Sequence, residues 1–234
     1  MTLTQLRKDL TAQKNPEKAK ILSRFFKTGK GEYGEGDIFW GITVPKIRII
    51  AKEYKDLPLK EIQEVLKSDI HEIRLTALLI LTYKFPKATP EEQKQVVDLY
   101  LKNTKYINNW DLIDLSAPKI IGEYLLDKPK ERKILATLAK SNSLWEKRIA
   151  ILSTFTFIKN YQFEDALKIS EILLNDKHDL IHKAVGWMLR EIGKKDQKIE
   201  ESFLKKYHKN MPRTMLRYAI ERFSDEKRKF YMQK

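Results

Sequence analysis

Apolar residues recur at helical spacing along almost the entire chain, and this constrains the fold more than any other feature. Period-two alternation of β-branched residues is hard to find, so a sheet has little to build on. The spacing predicts helices over Thr2–Thr11, Pro16–Thr28, Pro45–Tyr54, Pro58–Lys67, Ile70–Phe85, Pro90–Leu101 and Ile107–Leu126. It predicts further helices over Pro129–Ala139, Leu144–Asn160, Phe163–Leu174, Leu180–Gly193, Lys198–Lys206 and Pro212–Phe223, with a last short helix to the end. Pro16, Pro58, Pro90, Pro129 and Pro212 stand near predicted starts, where a missing N–H costs nothing. Pro118 lies inside an otherwise continuous pattern and should kink or end that helix. Five of the eight glycines fall between Gly29 and Gly41. That stretch is the least helical part of the chain and reads as a loop over residues 29–43, with room for a short hairpin.

A repeat runs beneath the helices. Ile70-His-Glu-Ile-Arg, Leu144-Trp-Glu-Lys-Arg and Ile181-His-Lys-Ala-Val each open a helix that follows a shorter one. Arg74, Trp110, Arg148 and Trp187 are spaced 36, 38 and 39 residues apart. This period lies close to the roughly 40-residue helix pair of HEAT and armadillo arrays. The expected fold is therefore all-α, an α-α superhelix (HEAT-like repeat solenoid) of about six to seven helix pairs with a concave basic groove. One domain is expected over residues 1–234. Equivalent positions of successive repeats line up along such a face, so Trp110, Asp114, Arg148 and Trp187 are expected to converge.

Composition narrows the partners. The chain has 234 residues and a formal net charge of +14, a balance that favours a polyanion, most often nucleic acid. Cysteine is absent, which excludes disulfides, thiolate zinc sites and cysteine nucleophiles and fits a reducing compartment. No apolar run approaches the ~18 residues of a membrane span. The first residues lack the apolar core of a signal peptide, so a cytoplasmic protein, nucleoid-associated when bound to DNA, is expected. Gly29-Lys-Gly-Glu-Tyr-Gly34 has the letters of a dinucleotide fingerprint but follows a helix rather than a strand. The four histidines are scattered, and His71-Glu72 lacks the second histidine of a zinc-protease helix. No metal and no cofactor are expected.

Two constellations carry chemistry. One is basic and includes Arg148, Lys147, Lys183, Arg190, Lys194 and Arg213, which are suited to gripping phosphates. For any single lysine an ordinary solvated face explains the charge as well. The other is aromatic and acidic. Trp110 and Asp114 are four residues apart, which puts both on one helical face, and Trp187 joins them by repeat phase. Asp111, Trp145, Phe39 and Trp40 are neighbours. Tryptophan is often a core residue. Asp114, between Ile113 and Leu115, needs a partner or a task, and pairing with Arg148 is the structural alternative.

These residues resemble the DNA alkylation repair family, the AlkD-type HEAT-like-repeat DNA glycosylases. The likeness covers nearly the whole chain. It rests on Asn109-Trp110-Asp111-Leu-Ile-Asp114, on Leu144-Trp-Glu-Lys-Arg148-Ile-Ala-Ile and on Ala184-Val-Gly-Trp187-Met-Leu-Arg-Glu-Ile-Gly-Lys. It implies excision of positively charged alkylated purines, chiefly N3-methyladenine and N7-methylguanine, from duplex DNA in base excision repair. It also implies a monofunctional hydrolase of N-glycosyl bonds without cofactor. The matching positions would make Asp114 the catalytic carboxylate, Trp110 and Trp187 aromatic walls, and Arg148 the DNA-backbone contact. The expected partner is double-stranded DNA carrying alkylated bases, with no membrane and no metal, and a monomer is expected. Two departures stand out. The Gly-rich insert is longer than the corresponding loop of the family, and the family's third aromatic, a tyrosine, falls here near Phe25, Phe26 or Tyr33. Two alternatives accompany this reading: a non-catalytic HEAT-like protein that binds bent or branched DNA, and a protein-binding adaptor.

Overall fold

The computed structural model describes residues 2–233. Its elements fall into two compact units, one up to Ser116 and one from Ala117 onward. The first unit holds α1 (Leu3–Thr11), α2 (Pro16–Phe25), α3 (Val44–Glu53), α4 (Leu59–Leu66), α5 (His71–Lys84), α6 (Pro90–Lys102) and all but the last residue of α7 (Trp110–Ala117). The second holds α8 (Glu123–Leu125), α9 (Lys133–Ala139), α10 (Leu144–Lys159), α11 (Glu164–Ile172), α12 (Asp179–Lys195), α13 (Gln197–Tyr207), α14 (Arg213–Ala219) and α15 (Asp225–Met232). No β-strand is present among the described residues.

Local chemistry sets most helix starts. Thr2, Asn15, Ser143 and Ser224 each accept a backbone N–H from the first turn of the helix that follows, a bond that satisfies one orphan donor. Thr89 and Glu92 form a full capping box ahead of α6, with Pro90 in the first turn. Asp196 accepts from Lys198 and Ile199 at 2.9 and 3.2 Å, and so divides α12 from α13. At Pro118, which has no N–H to give the preceding turn, the helical pattern switches to a π-helical stretch, Pro118–Gly122. Gly122 permits this stretch to lie close to α10: a Cβ there would stand 2.5 Å from the Ser153 carbonyl oxygen.

Each unit is organised around a helix buried on all sides. In α5 every residue from His71 to Thr82 is buried, and the helix packs on α3 and α4. In α10 the run from Arg148 to Thr154 is buried, and the helix packs on α9, α11 and α12. Hydroxyls within these helices donate to backbone carbonyls: Thr76 to Glu72 and Ser153 to Ile149 within their own helices, and Thr156 across to Pro118, each at 2.7 Å.

The glycine-rich loop is built of turns, without the hairpin for which the sequence left room. Its one extended contact is an isolated parallel bridge between Ile38 and Ile70. The loop is held instead by Glu72. This carboxylate, 2% exposed, accepts the backbone N–H groups of Trp40, Gly41 and Ile42 at 2.7–3.1 Å. Gly41 sits at φ +79°, and a Cβ there would lie 2.0 Å from the Asn15 carbonyl oxygen, so no other residue fits.

The second unit contains a carboxyl group with an unusual burden. Glu200 is 1% exposed, and its Oε1 makes no hydrogen bond. Burial, then the Glu201 charge, push its pKa from 4.5 up to about 8, with Arg190 opposing. The fold therefore favours the protonated form. Its contribution to stability is full below the unfolded pKa, near 4.5, and is lost as pH rises through about 8. Glu200→Gln, neutral at every pH, is expected to remove this loss, whose slope is at most about 1.4 kcal/mol per pH unit. Thermal unfolding from pH 4 to 9 should show the variant gaining on wild type across that window; parallel curves would refute the assignment.

Candidate active site

Trp110 and Asp114 stand on one face of α7, one turn apart, and both are half-buried. Asn109 sets the start of this helix. Its side-chain oxygen accepts the Trp110 N–H at 2.8 Å, while its Nδ2 donates to Asp37 at 3.2 Å. The indole is braced from the N-terminal side. Phe26 stacks on it with centroids 5.1 Å apart and planes at 21°, and Phe25 meets it edge-on at 5.9 Å. Phe26 also stacks on Phe39 at 5.0 Å, and Phe39 on His71 at 4.4 Å. Both aromatics of the Phe25–Phe26 pair thus reach Trp110. The negative charge of Asp114 extends to Tyr100, whose phenol is pushed above its ordinary pKa by burial first and by Asp114 second.

Behind this face lies a charged cluster. His71, 1% exposed, bonds Asp37 through Nδ1 and Asp111 through Nε2, both at 2.9 Å. Arg74, 3% exposed, donates to Asp37, and to Asn108 at 3.0 Å. Burial lowers the His71 pKa, but the two carboxylates outweigh it and raise it to about 9. The imidazole is therefore charged at neutral pH, and its stabilising contribution is lost as pH climbs from 6.5 through 9. Burial likewise pushes Asp37 upward, and the bonds from His71 and Arg74 more than reverse it, holding its carboxyl below the ordinary range. Among the described residues no group of three or more His, Asp or Glu is disposed to hold a metal ion.

In the second unit Trp187 is half-buried on α12. Its Nε1 donates to Glu191 at 3.0 Å, and its ring lies 5.8 Å from Phe155. The six basic residues expected to contact DNA are all engaged within this unit. Lys147 pairs with Asp176 at 2.7 Å, Lys183 with Asp179 at 2.7 Å and Lys194 with Glu191 at 2.6 Å. Arg190 pairs with Glu221, and Arg213 donates to the Met232 carbonyl at 2.8 Å. Arg148 is 5% exposed and donates to the Leu180 carbonyl at 2.6 Å, joining α10 to the head of α12. Arg74, its counterpart in the repeat, is buried in the same way and donates to the Ser68 carbonyl at 2.9 Å.

Sequence reasoning missed the Asp37–His71–Asp111 chain and the grip of Glu72 on the loop. A signal was present: three ionisable residues, His71, Glu72 and Arg74, open a helix that is otherwise apolar. Such groups are buried only with partners, and apart from the Ser68 carbonyl bound by Arg74 those partners stand thirty or more residues away.

Solved structures share this fold. The chain is similar to a predicted DNA alkylation repair enzyme from Enterococcus faecalis, with a TM-score of 0.72 and 19% identity, over 91% of this chain and 98% of the other. It is similar to AlkD2 from Streptococcus mutans, with a TM-score of 0.58 and 18% identity, over 90% of this chain and 99% of the other. It also resembles smu.31 from Streptococcus mutans UA159, with a TM-score of 0.57 and 19% identity, over 95% and 98% of the two chains. The all-α expectation is thereby borne out. No curated protein matches the chain. Residues 6–223 match the model of the DNA alkylation repair enzyme family. The chain belongs to the DNA alkylation repair enzyme family, as its tryptophan and aspartate motifs suggested. No helix among the described residues is long and apolar enough to cross a membrane.

Proposed function

We propose that this protein is a DNA glycosylase that removes positively charged N-alkylated purines, N3-methyladenine and N7-methylguanine, from duplex DNA at the start of base excision repair. The observation that carries this reading is the braced pair on α7: an indole fixed by two phenylalanines beside a carboxylate one turn away. An N-alkylated purine already carries positive charge and leaves without a general acid. As the glycosidic bond breaks, its electron pair goes to the departing nitrogen and oxocarbenium character builds on the deoxyribose. Asp114 is assigned the role of stabilising that charge and orienting the attacking water. Trp110 offers the sugar an indole face that favours cationic character. In the second unit Trp187 is assigned a like role, and Arg148, Lys147, Lys183, Arg190, Lys194 and Arg213 are assigned to the DNA backbone.

For the lysines this assignment means an exchange of partners, carboxylate for phosphate. For Lys183, whose pair with Asp179 is exposed, the exchange is inexpensive, since such pairs contribute at most about 1 kcal/mol; the Lys147–Asp176 pair is part-buried and exchanges at greater cost. For Arg148 the cost is larger, because its guanidinium is buried against a helix end.

The test is base release. Purified protein incubated with methylated duplex DNA is expected to liberate alkylated purines and leave abasic sites, and its DNA affinity is expected to fall steeply with salt. Salt-sensitive binding with no release would overturn the activity and leave a non-catalytic DNA-binding protein. Absence of both would overturn the nucleic-acid reading altogether.

A further inference from the structure

Glu191 stands between two of the residues assigned to the reaction. Trp187, Glu191 and Lys194 follow one another on α12 at steps of four and three residues, so all three share one face of the helix. A single atom joins them. Glu191 Oε1 accepts the indole Nε1–H of Trp187 at 3.0 Å and the Lys194 ammonium at 2.6 Å. The Glu191 side chain is 16% exposed and that of Lys194 is 41% exposed. The carboxylate is thus sheltered, and the ammonium is the member that an anion in solution reaches. The two donors are unequal. The ammonium bond is charge-assisted on both sides, whereas the indole N–H is a neutral donor with one fixed direction. The torsion that turns an indole about its Cβ–Cγ bond is broad by itself, so the bond from Nε1 selects how the ring stands. The other ring contact of Trp187, to Phe155 at 5.8 Å and 46°, is looser than the stack of Phe26 on Trp110.

We propose that Glu191 is a positioning residue that couples contact with the DNA backbone to the orientation of Trp187. When Lys194 leaves Glu191 for a phosphate, Oε1 is left to the indole alone, and the ring is fixed for the sugar as the duplex arrives. This role rests on the glycosylase reading, in which Lys194 serves the backbone and Trp187 the sugar. It has a cost in affinity. The Glu191 charge repels phosphate and holds Lys194 back from it. Removing that charge is therefore expected to tighten DNA binding, while removing the acceptor slows base release. A residue that serves only the fold does not give effects of opposite sign on affinity and rate.

Three variants separate the acceptor from the charge. Glu191→Leu removes both. It is expected to bind duplex about twofold or more tightly and to release bases about tenfold more slowly in a single turnover. Glu191→Gln keeps an acceptor oxygen without the charge, so it should bind as tightly as Glu191→Leu and recover most of the wild-type rate. In a Trp187→Phe background, which has no indole N–H, Glu191→Leu should cost no further rate. A Glu191→Gln protein as slow as Glu191→Leu, or additive losses in the Trp187→Phe background, would overturn the role. A second readout needs no turnover. The Trp187 indole N–H resonance, identified by its absence from Trp187→Phe, is expected to move downfield in Lys194→Met, where Oε1 serves the indole alone. It should move the same way when unmodified duplex is added to wild type. Should Glu191→Leu fail to fold, this resonance decides. Wild type that releases bases while the resonance stays unmoved in Lys194→Met and on adding duplex refutes the coupling and keeps the activity. Wild type that releases nothing refutes the activity on its own, and Lys194→Met still decides whether the two donors compete for Oε1.

Discussion

Asp114→Asn is expected to slow base release from methylated duplex by about 10²–10³-fold, the usual effect of removing one group aimed at developing charge. The substitution keeps the shape of the side chain and removes only its charge. A single-turnover assay isolates the step concerned, because bond breakage is where the sugar becomes cationic. Affinity for the duplex is expected to stay within about twofold, since binding is carried by phosphate contacts to basic residues. The fold should tolerate the change. Asp114 is half-buried, and the neighbouring Tyr100 hydroxyl has its own bond to Ser116 at 2.9 Å. Loss of the Asp114 charge also relieves one of the two influences that hold the Tyr100 phenol above its ordinary pKa. An Asp114→Asn protein that melts like wild type and still releases bases at the wild-type rate would remove this carboxylate from the mechanism. The same assay on Trp110→Ala would then ask whether the indole acts alone.

The helices were legible in the sequence because their causes are local. Leu144–Asn160 was expected and α10 runs Leu144–Lys159; Pro90–Leu101 was expected and α6 runs Pro90–Lys102. Caps, prolines and apolar spacing lie within a turn of the boundaries they set. Where a boundary depended on a distant group, spacing alone misplaced it. The helix expected from Ile107 begins at Trp110, because Asn109 is drawn into the Asp37 cluster and heads the helix with its side chain. The helix expected through Thr28 stops at Phe25, with Lys27 in a left-handed conformation at φ 53°. The candidate site divides in the same way. Trp110 and Asp114 were legible as neighbours because four residues make a helical turn. The bracing of Trp110 by Phe26 and the tether of Asp111 to His71 were not, since they join segments 40 to more than 80 residues apart. Arg148 shows a further limit: a basic residue in phase with a repeat is equally suited to holding the repeats together, and its burial against the Leu180 carbonyl was not readable from charge.

The largest effect on stability is expected from Glu72→Ala. Glu72 opens α5 and terminates three backbone N–H groups of the loop, from Trp40, Gly41 and Ile42. Gly41 and Ile42 are buried, so removal of the carboxylate leaves donors that water does not reach. Such losses cost about 3–5 kcal/mol where a buried charged partner is deleted. For a chain of this length that corresponds to a fall of roughly 10 °C in melting temperature. Glu72→Gln should be milder, because Oε1 alone accepts from Trp40, Gly41 and Ile42 and an amide oxygen can take its place. The consequence extends to the charged cluster of Asp37, His71 and Asp111. The same loop carries Phe39, which stacks on His71, and Asp37, which binds it, and His71 in turn fixes Asp111. Amide hydrogen exchange should therefore show loss of protection at Trp40, Gly41 and Ile42 first, and at His71 as well. A Glu72→Ala protein that melts within about 2 °C of wild type, a loss of under about 1 kcal/mol, would mean that the loop is held by its aromatic stack and not by this carboxylate.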